Sequence, residues 1–135
     1  MSTGIDYNRV SLVLAVLEKR LGLRFSSFDV YVNVIGGIKI DETASDAGMA
    51  LAMISSIRDI PVPDDLICIG ELGLSGEVRA VSRIEQRIRE GERLGFHKIA
   101  VPSRNLKKAE FKIKPDTSLI PIKTVFDLLT LLKKQ

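Results

Sequence analysis

The run 44–57 limits most tightly what this chain can fold into. Ala47, Ala50, Leu51, Ile54 and Ile57 recur at helical spacing, and several of these residues are small. A helix with such a face is predicted to lie close against a sheet, because short side chains let the two backbones approach. Thr43 or Ser45 is the expected N-cap. Downstream, Ile60-Pro61-Val62-Pro63 interrupts the periodicity, and the apolar stretch Leu66-Ile67-Cys68-Ile69 follows as a buried strand.

The other elements fall around this pair. Leu12, Val13, Val16, Leu17 and Leu21 mark an amphipathic helix over about 7–21 that stops at Gly22. Val30, Val32 and Val34 alternate with polar residues, and Gly36-Gly37 turns the chain before Ile38 and Ile40, which predicts a strand pair. Strands are predicted at 66–72 and 77–81, linked through Gly73 and Ser75-Gly76. Ile84, Ile88 and Leu94 are then expected on the inner face of a charged helix. A strand over 98–101 stopped by Pro102 comes next, then a strand over 119–122. Val125, Leu128, Leu129 and Leu132 form the apolar side of a terminal helix. Strand pairs mixed with helices make the class α+β.

With 135 residues and 45% apolar content, the chain is long enough for one domain with a real core. Its longest apolar run, 50–54, is too short to span a bilayer, and no charged-then-apolar leader opens the sequence, so a soluble protein without its own secretion signal is expected. Cys68 stands alone within an apolar strand and reads as a core thiol; His97 reads as a surface or capping residue. No His/Cys/carboxylate grouping has metal-ligand spacing, and Asp41, Glu42 and Asp46 read as negative charge at a helix start. Gly70, Gly73 and Gly76 lack the Lys-Ser/Thr of a phosphate loop and read as turn and bulge glycines. The net charge of +3 is mild, and aromatics at 5% with no tryptophan disfavour a base-stacking platform.

One series of landmarks is more specific than any of these. Gly36-Gly37, the helix over 44–57, Ile60-Pro61-Val62-Pro63, Gly70-Glu71-Leu72-Gly73-Leu74-Ser75-Gly76-Glu77-Val78 and the charged helix ending at Leu94-Gly95 together resemble the proteolytic domain of Lon-type peptidases. Within that group, Asp41-Glu42-Thr43-Ala44-Ser45-Asp46, Arg58-Asp59 and the helix bearing Arg83, Glu85, Arg87 and Leu94-Gly95-Phe96 are similar to the C-terminal Lon-like domain of the bacterial RadA (Sms) family of DNA repair proteins. The resemblance implies the ribosomal protein S5 domain 2-like fold, with residues 1–135 a single C-terminal piece of a longer protein. It also implies a zinc ribbon and a RecA-like ATPase elsewhere in that protein, so ATP, Mg and Zn would belong to those parts and no cofactor to this one.

Lon-type enzymes use a serine at the start of the Ala-rich helix and a lysine on the charged helix. Ungapped alignment on the Pro-Val and Gly-Glu landmarks puts Ala44 and Arg87 at those two positions. Alanine has nothing with which to attack a carbonyl, and a guanidinium stays protonated and cannot serve as a base. No catalytic residue is therefore assigned. Ser45 follows Ala44, but one α-helical step rotates a side chain by about 100° and is expected to aim its hydroxyl elsewhere.

The basic residues are the remaining candidates for a site. Arg83 and Arg87 are four apart on the charged helix and Arg79 precedes them, while Lys107, Lys108 and Lys112 cluster in a loop. For the arginines, a phosphate-contacting surface competes with a solvated face laced with Glu85, Glu90 and Glu92; for the lysines, with simple solubility charges. The family resemblance implies a homo-oligomer in the form of a hexameric ring, contact with DNA, cooperation with RecA in branch migration and recombination, and a place in the bacterial cytoplasm away from any membrane. Three readings fit these residues: a non-catalytic oligomerisation and DNA-contact module, a pure oligomerisation scaffold without DNA contact, and an active Ser-Lys Lon-type peptidase or other hydrolase that uses residues not recognised in the sequence.

Overall fold

The computed structural model describes residues 7–24, 43–106 and 112–132. The predicted strand pair around Val30 to Ile40, Asp41, Glu42, Lys107 and Lys108 lie outside the described residues. The rest is an α+β arrangement with a parallel sheet. In chain order it contains α1 (Tyr7–Leu21), a 3-10 turn (Thr43–Ser45), α2 (Asp46–Arg58), β1 (Leu66–Cys68), β2 (Glu71–Leu72) and β3 (Val78–Arg79). These are followed by α3 (Ile84–Arg93), β4 (Lys98–Pro102), α4 (Ser103–Leu106), β5 (Ser118–Ile122) and α5 (Val125–Leu131).

Among the described residues β1, β4 and β5 form one parallel sheet in that order, with Ile67 opposite Ile99 and Ile99 opposite Leu119. Successive strand residues face opposite ways. Leu66, Cys68, Ala100, Ile120 and Ile122 join one apolar cluster with α1, α2 and α5; Ile67, Ile99, Val101 and Leu119 join another with Ile84 and Ile88 of α3. The sheet is thus covered by three helices on one face and by α3 on the other. Being covered on both faces is what permits the near-continuous apolar runs of β1 and β4.

Helix α1 ends as its sequence predicts. Val13, Val16 and Leu17 are buried, Lys19 and Arg20 occupy the last turn, and Gly22 takes φ +69° with its N–H on the Glu18 carbonyl at 3.1 Å. Helix α2 is buried more broadly than one face: Met49 and Met53 are as enclosed as Ala47, Ala50, Leu51 and Ile54, whereas Ile57 is exposed. Neither Thr43 nor Ser45 caps it through a side chain. Ser45 has αR backbone angles as the last residue of the 3-10 turn, and no side-chain capping bond forms there.

The start of α2 is held by other means. Gly70 N–H donates to the Ala44 carbonyl and Ala47 N–H donates to the Gly70 carbonyl, both at 2.9 Å. A Cβ on Gly70 would stand 2.7 Å from Val78 Cγ1, so this approach requires glycine. Asp46, expected as negative charge at a helix start, occupies the first residue of α2 and is fully buried. Arg9 of α1 grips both its oxygens, through Nε at 3.2 Å and through Nη2, and the Leu72 N–H donates to Oδ2 at 3.0 Å. The anion is satisfied by a forked guanidinium and a backbone amide, which makes its burial tolerable.

The predicted strand over 66–72 is two strands. At Ile69-Gly70 the chain turns to the Ala44 turn, leaving β2 to pair antiparallel with β3 in a separate ribbon, Leu72 opposite Val78. Gly73 and Gly76 close its turn, with Gly76 at φ +86° and its N–H on the Gly73 carbonyl at 3.0 Å. The ribbon is tied to α5: Val78 N–H donates to the Lys123 carbonyl at 2.8 Å and Val125 N–H to the Gly76 carbonyl at 2.9 Å. Thr124 and Asp127 form a reciprocal capping box on α5.

Replacing Asp46 by alanine removes the buried anion and leaves the Leu72 amide without its acceptor, and should lower the unfolding free energy by about 3 kcal/mol, read from the urea midpoint. Gly70→Ala should also destabilise, by forcing Val78 away from the Ala44 turn. A midpoint unchanged in Asp46→Ala would show that Asp46 is not an anchor.

Candidate functional site

Two adjoining surface depressions lie where α3 begins, and Ala44, Arg83 and Arg87 line both of them. The 3-10 turn, clamped by Gly70, presents Ala44; the first turn of α3 presents Arg87. The two positions assigned to a lost nucleophile and base are therefore neighbours around one site although distant in sequence.

The first depression, of about 380 Å³, is mainly apolar: Ile67, Cys68 and Ile69 come from β1 and its end, and Gly91 and Leu94 come from α3 and its C-cap. The second, about 580 Å³, is more polar, lined by Thr43, Glu71 and Ser82. Ser45 borders the apolar depression.

Arg83 is not on the helix proper. It is the N-cap residue of α3 and takes left-handed angles, φ 55° and ψ 40°, with no side-chain cap. A non-glycine residue there is strained by about 1–2 kcal/mol. Arg87 Nε donates to the Ser82 carbonyl at 2.8 Å, which steers the guanidinium along the wall of the depressions.

The nearby carboxylates do not answer these arginines equally. Glu90 is engaged by Arg93 through Nε at 3.0 Å and through Nη2, and these hydrogen bonds hold its carboxyl below the ordinary glutamate range. Glu85 pairs with Arg89 at 3.0 Å. Glu71 lines the polar depression only.

The other sequence candidates are separate from this pair. Arg79 pairs with Glu77 at 3.1 Å and lines neither depression. Lys112 is exposed; Lys107 and Lys108 lie outside the described residues. Leu94, predicted on the inner face of α3, is 57% exposed at the rim, because the helix ends at Arg93 and Gly91 supplies the inward contact against Ile99 and Ile67. Sequence reasoning missed Gly91 and Leu94 as site residues. The signal is present, since Arg83, Arg87, Gly91 and Leu94 continue one three-and-four spacing. His97 is a surface residue paired with Asp116 at 3.2 Å. Among the described residues, no group of three or more His, Cys, Asp or Glu side chains could hold a metal ion, and no helix is long and apolar enough to cross a membrane.

The fold and the site together define an α+β domain with an arginine-lined depression at the junction of a 3-10 turn and a helix start. By sequence, the chain belongs to the family described as subunit ChlI of Mg-chelatase, which matches residues 7–105. It is also homologous to proteins named DNA repair protein RadA: 46% identical over 129 residues in Listeria monocytogenes, covering 96% of this chain and 28% of that protein. The Bacillus subtilis protein is 54% identical over 107 residues (78% and 23%), and the Escherichia coli protein 40% identical over 130 (96% and 28%). The chain thus spans little more than a quarter of its relatives' length.

Burial pushes the Cys68 thiol up to about 12. Because the folded value exceeds the unfolded one, the folded state retains its proton where the unfolded chain releases it, so this contribution to stability is complete below the ordinary thiol range and is lost as pH rises towards 12. Native protein at pH 8 should leave Cys68 unmodified by a disulfide reagent, with full reaction only in denaturant. Fast native labelling would contradict a core thiol.

Proposed function

We propose that this chain is a non-catalytic Lon-like module of a RadA-type DNA repair protein. In this reading it keeps the ribosomal protein S5 domain 2-like fold and serves oligomerisation and DNA contact in place of peptide hydrolysis. The observation that carries the reading is the meeting of Ala44 and Arg87 around one site. A serine and a lysine at such positions could act as nucleophile and base; an alanine and a permanently charged arginine cannot. The names of the relatives supply the repair context. The intact protein is proposed to be an ATP-driven motor, with ATP, Mg and Zn at sites outside this chain. It would act as a hexameric ring in the bacterial cytoplasm, with RecA, on branched DNA.

Contact with DNA is assigned first to Arg83 and Arg87, whose guanidiniums suit paired donation to phosphate oxygens. Arg79 is a third contributor beside them, and Lys107, Lys108 and Lys112 are weaker candidates. Repetition around a ring would multiply a weak site.

Incubation with unfolded protein and a serine-reactive phosphonate should yield neither cleavage nor labelling; stoichiometric labelling of Ser45 would overturn the non-catalytic reading. For DNA, Arg83→Gly is an informative variant, since glycine accepts the left-handed backbone and should leave stability unchanged or raise it by about 1 kcal/mol. Together with Arg87→Ala it should weaken binding alike across DNA sequences and flatten the log-log salt dependence by roughly one unit for each phosphate no longer neutralised. An unchanged salt slope in folded, normally assembled protein would favour a pure scaffold.

A further inference from the structure

A third depression, of about 450 Å³, opens where the parallel strands end. β4 closes at Pro102 and β5 at Ile122, and the residues just beyond them, Ser103, Arg104 and Lys123, line it together with Leu106 and Pro121. The carboxyl ends of parallel strands are the usual place for a ligand in open α/β sheets. Both cations are exposed. Among the described residues neither side chain has a hydrogen-bond or ion-pair partner, and no carboxylate lines the depression. Asp127 stands nearby in the chain, but its Oδ2 accepts the backbone N–H of Lys123 at 2.7 Å and of Thr124 at 3.3 Å as part of the α5 cap.

This depression is joined to the arginine site by one side chain. Asn105, between Arg104 and Leu106, accepts from the Val81 N–H and donates to the Val81 carbonyl, both at 3.0 Å. Val81 in turn lines the polar depression beside Arg83, whose side chain also has no partner among the described residues. The two depressions are therefore neighbours across the Val81–Asn105 tie. Glu71 opposes Arg83 in sign on the polar side, so the net positive charge of the path lies at its Arg104 end.

We propose that Arg104 and Lys123 hold two phosphates of a nucleic-acid strand whose adjoining stretch meets Arg83, with the Val81–Asn105 tie fixing the spacing between the two contacts. Ser103 adds a hydroxyl donor, and deoxyribose carbons rest on Leu106 and Pro121. A strand is chosen over an acidic protein segment because the depression continues a site already assigned to phosphate. The inference rests on the DNA-contact reading and extends it to a surface which that reading leaves unused.

The test uses the chain as it stands with a fluorescein-labelled oligothymidylate of roughly twenty nucleotides, read by anisotropy across a salt series. Arg104→Ala combined with Lys123→Ala should keep the urea midpoint, since neither side chain is bonded, and should flatten the log-log salt slope by about 1.4 units, the amount for two phosphates of a single strand. Adding Arg83→Gly should flatten it further, with one oligonucleotide bound per chain throughout. An unchanged slope in the Arg104/Lys123 variant, beside a reduced slope in Arg83→Gly alone, overturns this inference and leaves the DNA-contact reading standing. Two oligonucleotides per chain, one lost with each variant, overturns the shared path. If the Arg104/Lys123 variant loses only binding to polyglutamate, the depression belongs to an acidic protein segment and the inference is overturned. No salt-dependent binding by the unaltered chain overturns both readings.

Discussion

The Asp46 carboxylate is the interaction on which the arrangement depends. It is buried at the first residue of α2, where three elements converge: α1 through Arg9, the ribbon through the Leu72 amide, and α2 itself. Apolar packing is non-directional and would allow α1 to slide on α2, whereas a forked pair plus a backbone amide admits one register. Burying an ion is a poor way to gain stability and a good way to specify geometry, a trade that suits the residue two positions after Ala44.

From this anchor the construction of the site follows. Gly70 clamps the Ala44 turn from one side, Arg9 and Leu72 hold the next residue but one, and α3 is fixed by Ile84 and Ile88 against the sheet. The walls of the depressions are therefore rigid elements, while the groups that face solvent are side chains of Arg83 and Arg87. Ala44 is held twice over, by the bond from the Gly70 N–H to its carbonyl and by burial in the apolar cluster of Ile69, Ile84 and Ile88.

Much of this is legible in the sequence, and the departures have physical causes. Helices α1 and α5 and strands β4 and β5 announce themselves by period and by Gly22 or Pro102, signals that are local. Pairing Arg83 with Arg87 is equally local. The burial of Asp46 is not legible because its partner, Arg9, lies on another helix, and no spacing rule connects them. The break between β1 and β2 is hidden because Ile69-Gly70-Glu71 keeps a strand-like pattern while its bonds diverge: Ile69 N–H stays on Ala100 of β4, Gly70 binds Ala44 and Ala47, and Glu71 pairs with Arg79. Leu94 fits the apolar period of α3, yet the helix stops one residue earlier. The offsetting of Arg79 by Glu77 is open to inspection, since residues two apart on a strand share a face.

The cross-ties between the ribbon and the start of α5 have a consequence for how the molecule is made. Val78 donates to Lys123 and Val125 donates to Gly76, so each segment satisfies amides of the other. Neither can close early. On a ribosome the ribbon emerges well before α5, and until that helix arrives Val78 lacks both its acceptor and its cover. Completion of this half of the domain therefore waits for residues made some forty-five positions later, about the reach from Val78 to Lys123, and the order of synthesis becomes part of the order of folding.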